Sequence, residues 1–454
     1  MDPVEAKSPL QRCLDFFKNG VRGLGRFWVS WHMLMWGTAG FLAGYLAMPN
    51  VTVQMNWLIV TCLPAAAVCL WKSRGRGIVR EPFFWLTSAF LLWNITVGTL
   101  RNPEFLALDY TRQFLGGAVL LPVYLVALWL IGRRGKSARV LVQAVAWAGF
   151  AAAAAALYYW WWIQSVEEPG ARLRNPLVHS GLHPVTTGIT IGFATVAAAA
   201  LYGGTLSRGV RVLLTPAVGV MCLAVLLTLS RGALLAMSAG LLALPLALLA
   251  SMPLRSAWKK AGPPVLMAAA VISAFLMFAG ALAPDPPAAA PVDVVLSDHV
   301  VQDYFRRGDS GRANFHRCGL ECLDSWDKHL TGAGLWVAEA ELEKRTGGHI
   351  DHLHSVFVAT YVHSGLIGLS MLALLLLMGF RRAWALARAG QPVWLVLLVC
   401  GITTLIYDGQ SACSLRTHAR FENLVLWFPL IVTAAAWRNE NEHPRGQTRR
   451  LMGS

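Results

Sequence analysis

Charge is what this sequence has least of. Asp, Glu, Lys and Arg supply only 14% of its 454 residues, where soluble domains carry about 25%, while the hydrophobic set supplies 56%. So few polar residues cannot wet the surfaces of the three or so soluble domains that the length would otherwise allow. The phosphate-cradling P-loop and the Rossmann glycine fingerprint are also missing, which argues against nucleotide-driven chemistry. With no HExxH pair and no DxD-type acid cluster, a metal site has little to stand on. No internal repeat is visible, so the paired halves of many transporters are not expected. Residues 1–30 mix charges with Phe and Leu and lack the apolar core and small-residue cleavage site of a secretory leader. They read as a cytoplasmic, interfacial amphipathic segment.

What is there is long apolar runs. Stretches near 20 residues recur with almost no charge, each enough to cross about 30 Å of hydrocarbon at about 1.5 Å per residue. About twelve are expected, near 31–48, 54–71, 83–100, 114–132, 140–162, 185–203, 212–229, 232–251, 263–283, 354–380, 393–408 and 423–437. Backbone groups left unpaired in lipid are too costly for open strands, so the fold class expected is an all-α integral membrane protein. Helices one to nine occupy 31–283, a large outer loop 284–353, the last three helices 354–437, and a cytoplasmic tail 438–454.

The formal charge of +15 invites a nucleic-acid reading, but its placement argues otherwise. Sorting loops into alternate sides with the N-terminus inside puts about 25 of the 39 basic residues inside and about 18 of the 24 acidic residues outside. Lys72, Arg74, Arg76 and Arg80, then Arg133, Arg134, Lys136 and Arg139, then Arg381, Arg382 and Arg388 exemplify the inner set. The basic charge is therefore topological, both termini are expected in the cytoplasm, and no nucleic-acid partner is implied. Cys62, Cys69, Cys222 and Cys400 fall within spans as packing residues, and Cys318 with Cys322 reads best as a pair of free thiols. Gly40 and Gly44 form a GxxxG explained by helix packing.

The outer loop is where a soluble function would sit. After a Pro/Ala-rich start, apolar residues from Ser310 to Leu335 recur at helical spacing, with Phe315, Cys318, Gly319 and Cys322 on one face and Ser310 as N-cap. Residues 336–344 can form a further short helix. The whole is expected to be a helical cap on the outer membrane face, too small for an independent enzyme domain.

Several polar residues stand where lipid would not tolerate them for nothing. Forty apolar residues from 212 to 251 are broken only at Leu229-Ser230-Arg231-Gly232, so the chain must turn there, with Ser230 and Gly232 supplying the break. Arg231 is then either a snorkelling loop arginine or the cation for a buried anion, and the absence of a neighbouring acid on the hairpin favours phosphate. In Gly347-Gly348-His349-Ile350-Asp351-His352-Leu353-His354-Ser355, His352 and His354 could chelate, but no supporting ligand follows at helical spacing. His354 heads a helix, where the positive end of the dipole favours the uncharged imidazole that a general base requires. His363 lies too deep to share that site and reads as a packed or hydrogen-bonded span residue. Among the outer arginines, Arg312 is the strongest candidate for an anion site, and Arg174, His183 and Arg416 are candidates for lining a substrate groove. Asp408 ends an apolar span and either orients a histidine or arginine or is a plain helix-end carboxylate.

Leu229-Ser230-Arg231-Gly232-Ala233-Leu234-Leu235, then Ser310-Gly311-Arg312 with Leu330-Thr331-Gly332-Ala333-Gly334-Leu335, then His354-Ser355 ahead of Gly365-Leu366-Ile367-Gly368 resemble the O-antigen ligase family. That family sits with O-antigen polymerases and bacterial protein O-oligosaccharyltransferases. Its members usually carry Asn where this chain has Ser355. The resemblance implies a GT-C-like membrane fold and a glycosyltransferase with an undecaprenyl-diphosphate-linked polysaccharide donor and a lipid A-core acceptor, working at the periplasmic face of the bacterial inner membrane. It implies His354 as base and Arg231 and Arg312 as the diphosphate-neutralising pair, with no cofactor and no metal; His183, Arg174, Arg416, His352 and Asp408 are the substrate contacts expected beside them. Membrane lipid, a polysaccharide polymerase and a chain-length regulator are the further partners it implies. A polymerase or protein O-oligosaccharyltransferase would use the same groups on another acceptor; a lipid-linked sugar flippase or secondary transporter would instead place charges near mid-span.

Overall fold

The computed structural model of the chain describes residues 27–72, 76–101, 109–167, 171–178, 183–204, 207–281, 312–335, 337–346, 353–409, 412 and 421–442. Helix is the only regular structure among them. Besides a single turn at Arg76–Val79 and a π-helical turn at Asn423–Trp427, the helices in chain order are α1 (Trp31–Ala47), α2 (Val51–Lys72), α3 (Pro82–Arg101), α4 (Asp109–Gly132), α5 (Gly135–Glu167), α6 (Pro184–Gly203), α7 (Arg208–Leu227), α8 (Arg231–Leu249), α9 (Leu254–Ala281), α10 (Arg312–Glu321), α11 (Trp326–Thr331), α12 (Val337–Thr346), α13 (Val356–Arg388), α14 (Val393–Tyr407) and α15 (Phe428–Glu442). A helix covers each of the twelve apolar stretches. Among the described residues seven are long and apolar enough to cross a membrane, namely α2, α3, α5, α6, α7, α8 and α13. All-helical among its described residues, the chain is a multi-pass membrane protein.

Local sequence sets the starts of these helices. Ser30 Oγ, Asn50 Oδ1, Ser207 Oγ and Ser230 Oγ accept from the backbone N–H of Met33, Val53, Val210 and Ala233, satisfying donors that helix starts leave open. Pro184 opens α6 at a position that needs no backbone donor. Small residues then set the packing. In α6, 89% of the apolar window is buried, so this helix is the axis of the bundle rather than a lipid-facing member. Its neighbours reach it where side chains are minimal: Gly149 of α5 lies against Ala194, and Gly240 of α8 against Val196. Gly40 and Gly44 meet Trp57 and Gln54 across the α1–α2 contact, the packing role expected of them.

Two expectations need correction. The span near 354–380 is not one helix: α13 runs to Arg388 and is broken at Gly365, whose φ of 66° and ψ of −167° lie outside any helix. The break strands the carbonyls of Val362, His363 and Ser364, and buried carbonyls need donors. Ala333 N–H donates to Val362 O at 2.8 Å, Gly334 N–H to His363 O at 3.2 Å, and the Trp93 indole N–H to Ser364 O at 2.9 Å. A side chain at Gly365 would collide with the Leu330 carbonyl. The Leu330–Leu335 turn is therefore a plug seated in the helix break, and the two motifs interlock.

The second correction concerns Arg382, expected among exposed inner loop charges. It is buried within α13 because its guanidinium pairs with Glu81, buried just before α3, and lies over the rings of Phe83 and Trp437.

The outer cap otherwise follows its sequence pattern. Phe315 and Cys318 of α10 and Cys322 just after it pack on Ala338, Leu353, Ala359 and Val362, with Gly319 against Leu353. Cys318 and Cys322 are free thiols. Residues 284–311, including Ser310, lie outside the described residues.

Candidate active site

The site is built at the end of the bundle where α6 and α8 begin, α7 and α14 end, and α10 rests. The hairpin between α7 and α8 is only Thr228-Leu229-Ser230, with Leu229 in the left-handed region at φ 51°. Gly232 is helical, so it does not supply the turn as expected. Its missing side chain instead lets Asp408, at the end of α14, approach: a Cβ there would stand 2.7 Å from Asp408 Oδ2. The hairpin itself carries no acid, as its sequence indicates, but an acid about 180 residues away in sequence folds against it. Arg231, the first residue of α8, is partly buried beside that contact.

Asp408 is the hub. Its side chain is 3% exposed and its Oδ1 accepts from Arg312 Nη2 at 3.0 Å, while Arg312 Nη1 donates to the Tyr407 carbonyl at 2.7 Å. His354 Nδ1 stands 3.5 Å from the same Oδ1. The His354 backbone is left-handed at φ 57°, two residues before α13 starts. Its ring is stacked on Phe315, with centroids 5.6 Å apart and planes at 16°. Arg312 and Phe315 are one turn apart on α10, so a single helix face supplies the guanidinium and the ring that covers the imidazole. That spacing was the available signal for Phe315, which the sequence showed only as a packing residue.

A strap, residues 171–178, crosses the same end. The Leu173 N–H donates to Leu227 O at 3.0 Å, Arg172 Nε to Thr228 O at 2.7 Å, and the Asn175 side chain to Leu46 O at 2.9 Å. The strap carries Arg172 and Arg174 into the electrostatic environment of His183, which also feels Asp408 and His354. Burial first, then the Arg172 guanidinium, hold the His183 imidazole below the ordinary histidine value; Asp408 opposes this, and His354 and Arg174 reinforce it. Of the residues expected at the site, His354, Arg312, Asp408, Arg231, Arg174 and His183 gather at one end. Arg416 and His352 lie outside the described residues.

Asp408 meets an arginine and faces a histidine, the arrangement that its place at the end of an apolar span left open, with Oδ1 accepting from Arg312 and Oδ2 lying where a side chain at Gly232 would stand. Two residues at this end were not singled out in sequence as functional, namely Thr228, which accepts from Arg172, and Glu422, a buried acid near Gly409. An acid immediately ahead of an apolar run was the signal for the latter. His363, as expected, is elsewhere and is used: its Nε2 meets Glu339 Oε1 and Oε2 at 3.1 and 3.2 Å, both side chains buried. Among the described residues, Arg172, Arg174, Arg231 and Arg312 gather around the buried carboxylates Asp408 and Glu422, a local grouping of guanidinium groups suited to a multiply charged anion.

No family model matches the chain, and no curated protein is significantly similar to it.

Proposed function

We propose that the chain is a glycosyltransferase of the O-antigen ligase kind, moving a polysaccharide from undecaprenyl diphosphate to a hydroxyl of the lipid A-core oligosaccharide. The reading takes the twelve-span topology, with both termini in the cytoplasm and the His354 end at the periplasmic face of the bacterial inner membrane. The observation that carries it is the shared carboxylate: Asp408 Oδ1 accepts from Arg312 and stands 3.5 Å from His354 Nδ1.

Such a reaction requires two things of the protein. The acceptor hydroxyl must lose its proton as it attacks the anomeric carbon, and the diphosphate must leave with its charge neutralised. His354 takes the proton, and Asp408 orients the ring and stabilises the imidazolium that results, the role of the carboxylate in acyl-transfer triads. As the anomeric C–O bond breaks, the electron pair stays on the diphosphate, where Arg312 and Arg231 meet it. The planar guanidinium matches two phosphate oxygens at once and needs no deprotonation step. One attack opposite the leaving group inverts the anomeric centre. These two arginines supply the charge for which other glycosyltransferases use a divalent ion, so a chelator is expected to leave transfer intact.

The test is transfer by purified protein from a lipid-diphosphate donor to lipid A-core. His354→Ala is expected to lower the rate at least about 100-fold while eluting as the wild type does. Ordinary rates from that variant would overturn the assignment. In cells, a null strain is expected to show core lipid without long chains and full-length polymer still on undecaprenyl diphosphate. Shortened polymer would indicate a polymerase instead.

A further inference from the structure

At the opposite end of the bundle, between the starts of α5 and α14 and the end of α6, lies a cavity of about 210 Å³. Lys136, Arg139 and Gln143 of α5 line one side, and Leu201 and Trp394 are among the apolar groups of its floor. The three polar residues fall at i, i+3 and i+7, so one face of α5 presents them together. Arg139 lies over Gly204, where a Cβ would stand 3.8 Å from its guanidinium carbon. Lys260 of α9 donates to the adjoining Gly203 carbonyl at 3.3 Å, which brings a third cation to the same corner. No carboxylate lines the cavity among the described residues; the nearest recorded acidic contact is Glu440, which accepts from the Gln391 side chain at 3.2 Å.

A hollow with an apolar floor and a cationic rim, at the bundle end where Arg133, Arg134 and Lys136 gather, has the chemistry of a phosphate-headgroup seat. We propose that this cavity binds a phosphate group through Lys136 and Arg139, with Lys260 adding to the positive potential. It is independent of the His354 site: none of its lining residues belongs to that cluster, and the bundle separates the two.

The phosphate can come from an anionic glycerophospholipid or from solution, and the experiment separates these sources. Full-length protein is placed in nanodiscs of phosphatidylcholine, in nanodiscs doped with phosphatidylglycerol, and in phosphatidylcholine nanodiscs with inorganic phosphate added. Thermal midpoint and, by native mass spectrometry, retained lipid are read. A rise in midpoint with one retained phosphatidylglycerol identifies a lipid headgroup; a rise with inorganic phosphate identifies a soluble source. In either case Lys136→Gln/Arg139→Gln is expected to lose the rise and weaken binding at least about tenfold. Arg255→Gln/Lys259→Gln, exposed charges at the same end, is expected to keep both. Lys136→Glu is a second probe, expected to repel the same phosphate. No response to either phosphate source, or equal loss in the two double variants, would overturn the proposal. Neither result bears on transfer at the His354 end, which is assayed separately.

Discussion

Two buried carboxylates at opposite ends of the bundle hold arginines in different ways. Glu81, with its side chain 1% exposed, pairs with Arg382, itself only 10% exposed, and Arg438 approaches at 3.8 Å. The Arg382 guanidinium is closed over by Phe83 and Trp437, at 5.3 and 4.6 Å from their centroids. Asp408 is as deep as Glu81, yet its partners Arg312 and His354 are each 27% exposed. Phe315 covers His354, and no aromatic ring among the described residues lies over Arg312. The lesson is in the lid. A buried acid whose cation is capped by rings pins helices together, whereas one whose cations keep an open face presents positive charge to a visitor.

The sharpest way to break that contrast is to neutralise each arginine. Arg312→Met is expected to lower transfer about 100- to 1,000-fold, the loss seen when one charge-stabilising donor is removed, with a smaller fall in thermal midpoint than Arg382→Met, because Arg312 is partly exposed and His354 stays 3.5 Å from Asp408. Arg382→Met is expected to cost about 3–5 kcal/mol of stability, because Glu81 stays buried without its partner, while transfer per folded molecule stays within a few-fold. Turnover and thermal unfolding of the two purified variants settle the matter. Parallel losses in both quantities for both variants would show that the two ends do the same job.

Next in size is the seat of the outer cap. Gly365→Ala places a side chain at φ 66° and against the Leu330 carbonyl. Strain of that kind costs about 1–3 kcal/mol, and the collision adds to it. The Leu330–Leu335 turn is expected to leave its groove, read as new protease cleavage between α11 and α12. An intact turn and an unchanged midpoint would mean that the break does not hold the cap.

Much of this was legible in the sequence, and the parts that were not share a cause. Apolar run length sets the helices, and the packed face of α10 follows from the spacing of Phe315, Cys318 and Cys322, because helical periodicity is a local property. The break at Gly365 was hidden, since one glycine in an apolar span is ordinary and its meaning depends on Ala333 and Gly334 arriving to take the carbonyls. The gathering of Arg231, Arg312 and His354 could be argued only from resemblance; through-space geometry adds Asp408 as the hub and Arg172 as a neighbour. Arg382 shows the limit of counting charges by loop: composition alone does not show whether an arginine at a helix end meets water or a buried acid.

A smaller effect is expected at the cap's own buried pair. Glu339→Gln leaves His363 in place but replaces a charged acceptor with a neutral amide, and hydrogen bonds to charged groups contribute about 1.5–3 kcal/mol. The midpoint is expected to fall accordingly, and a double-mutant cycle with His363→Gln is expected to show that most of the loss is shared. Additive losses would mean that the 3.1 Å contact is incidental.

The smallest effect is electrical and separates the strap from the hub. His183 is exposed to solvent, yet the partial burial of its ring and the nearby Arg172 hold its imidazole below the ordinary value of 6.5, so the folded state prefers it uncharged. The unfolded chain then binds more protons than the folded one as pH falls below about 6.5. The contribution of His183 is therefore full at neutral pH and is lost as pH falls from there through the lowered folded value. Arg172→Gln removes a repelling cation and is expected to raise the His183 titration midpoint. Asp408→Asn removes the one group that favours its charged form and is expected to lower it further. Both shifts can be read from the imidazole resonances of protein labelled at histidine. Equal shifts of one sign in the two variants would mean that strap and hub do not act on His183 from opposite sides, and that the cluster is looser than its distances indicate.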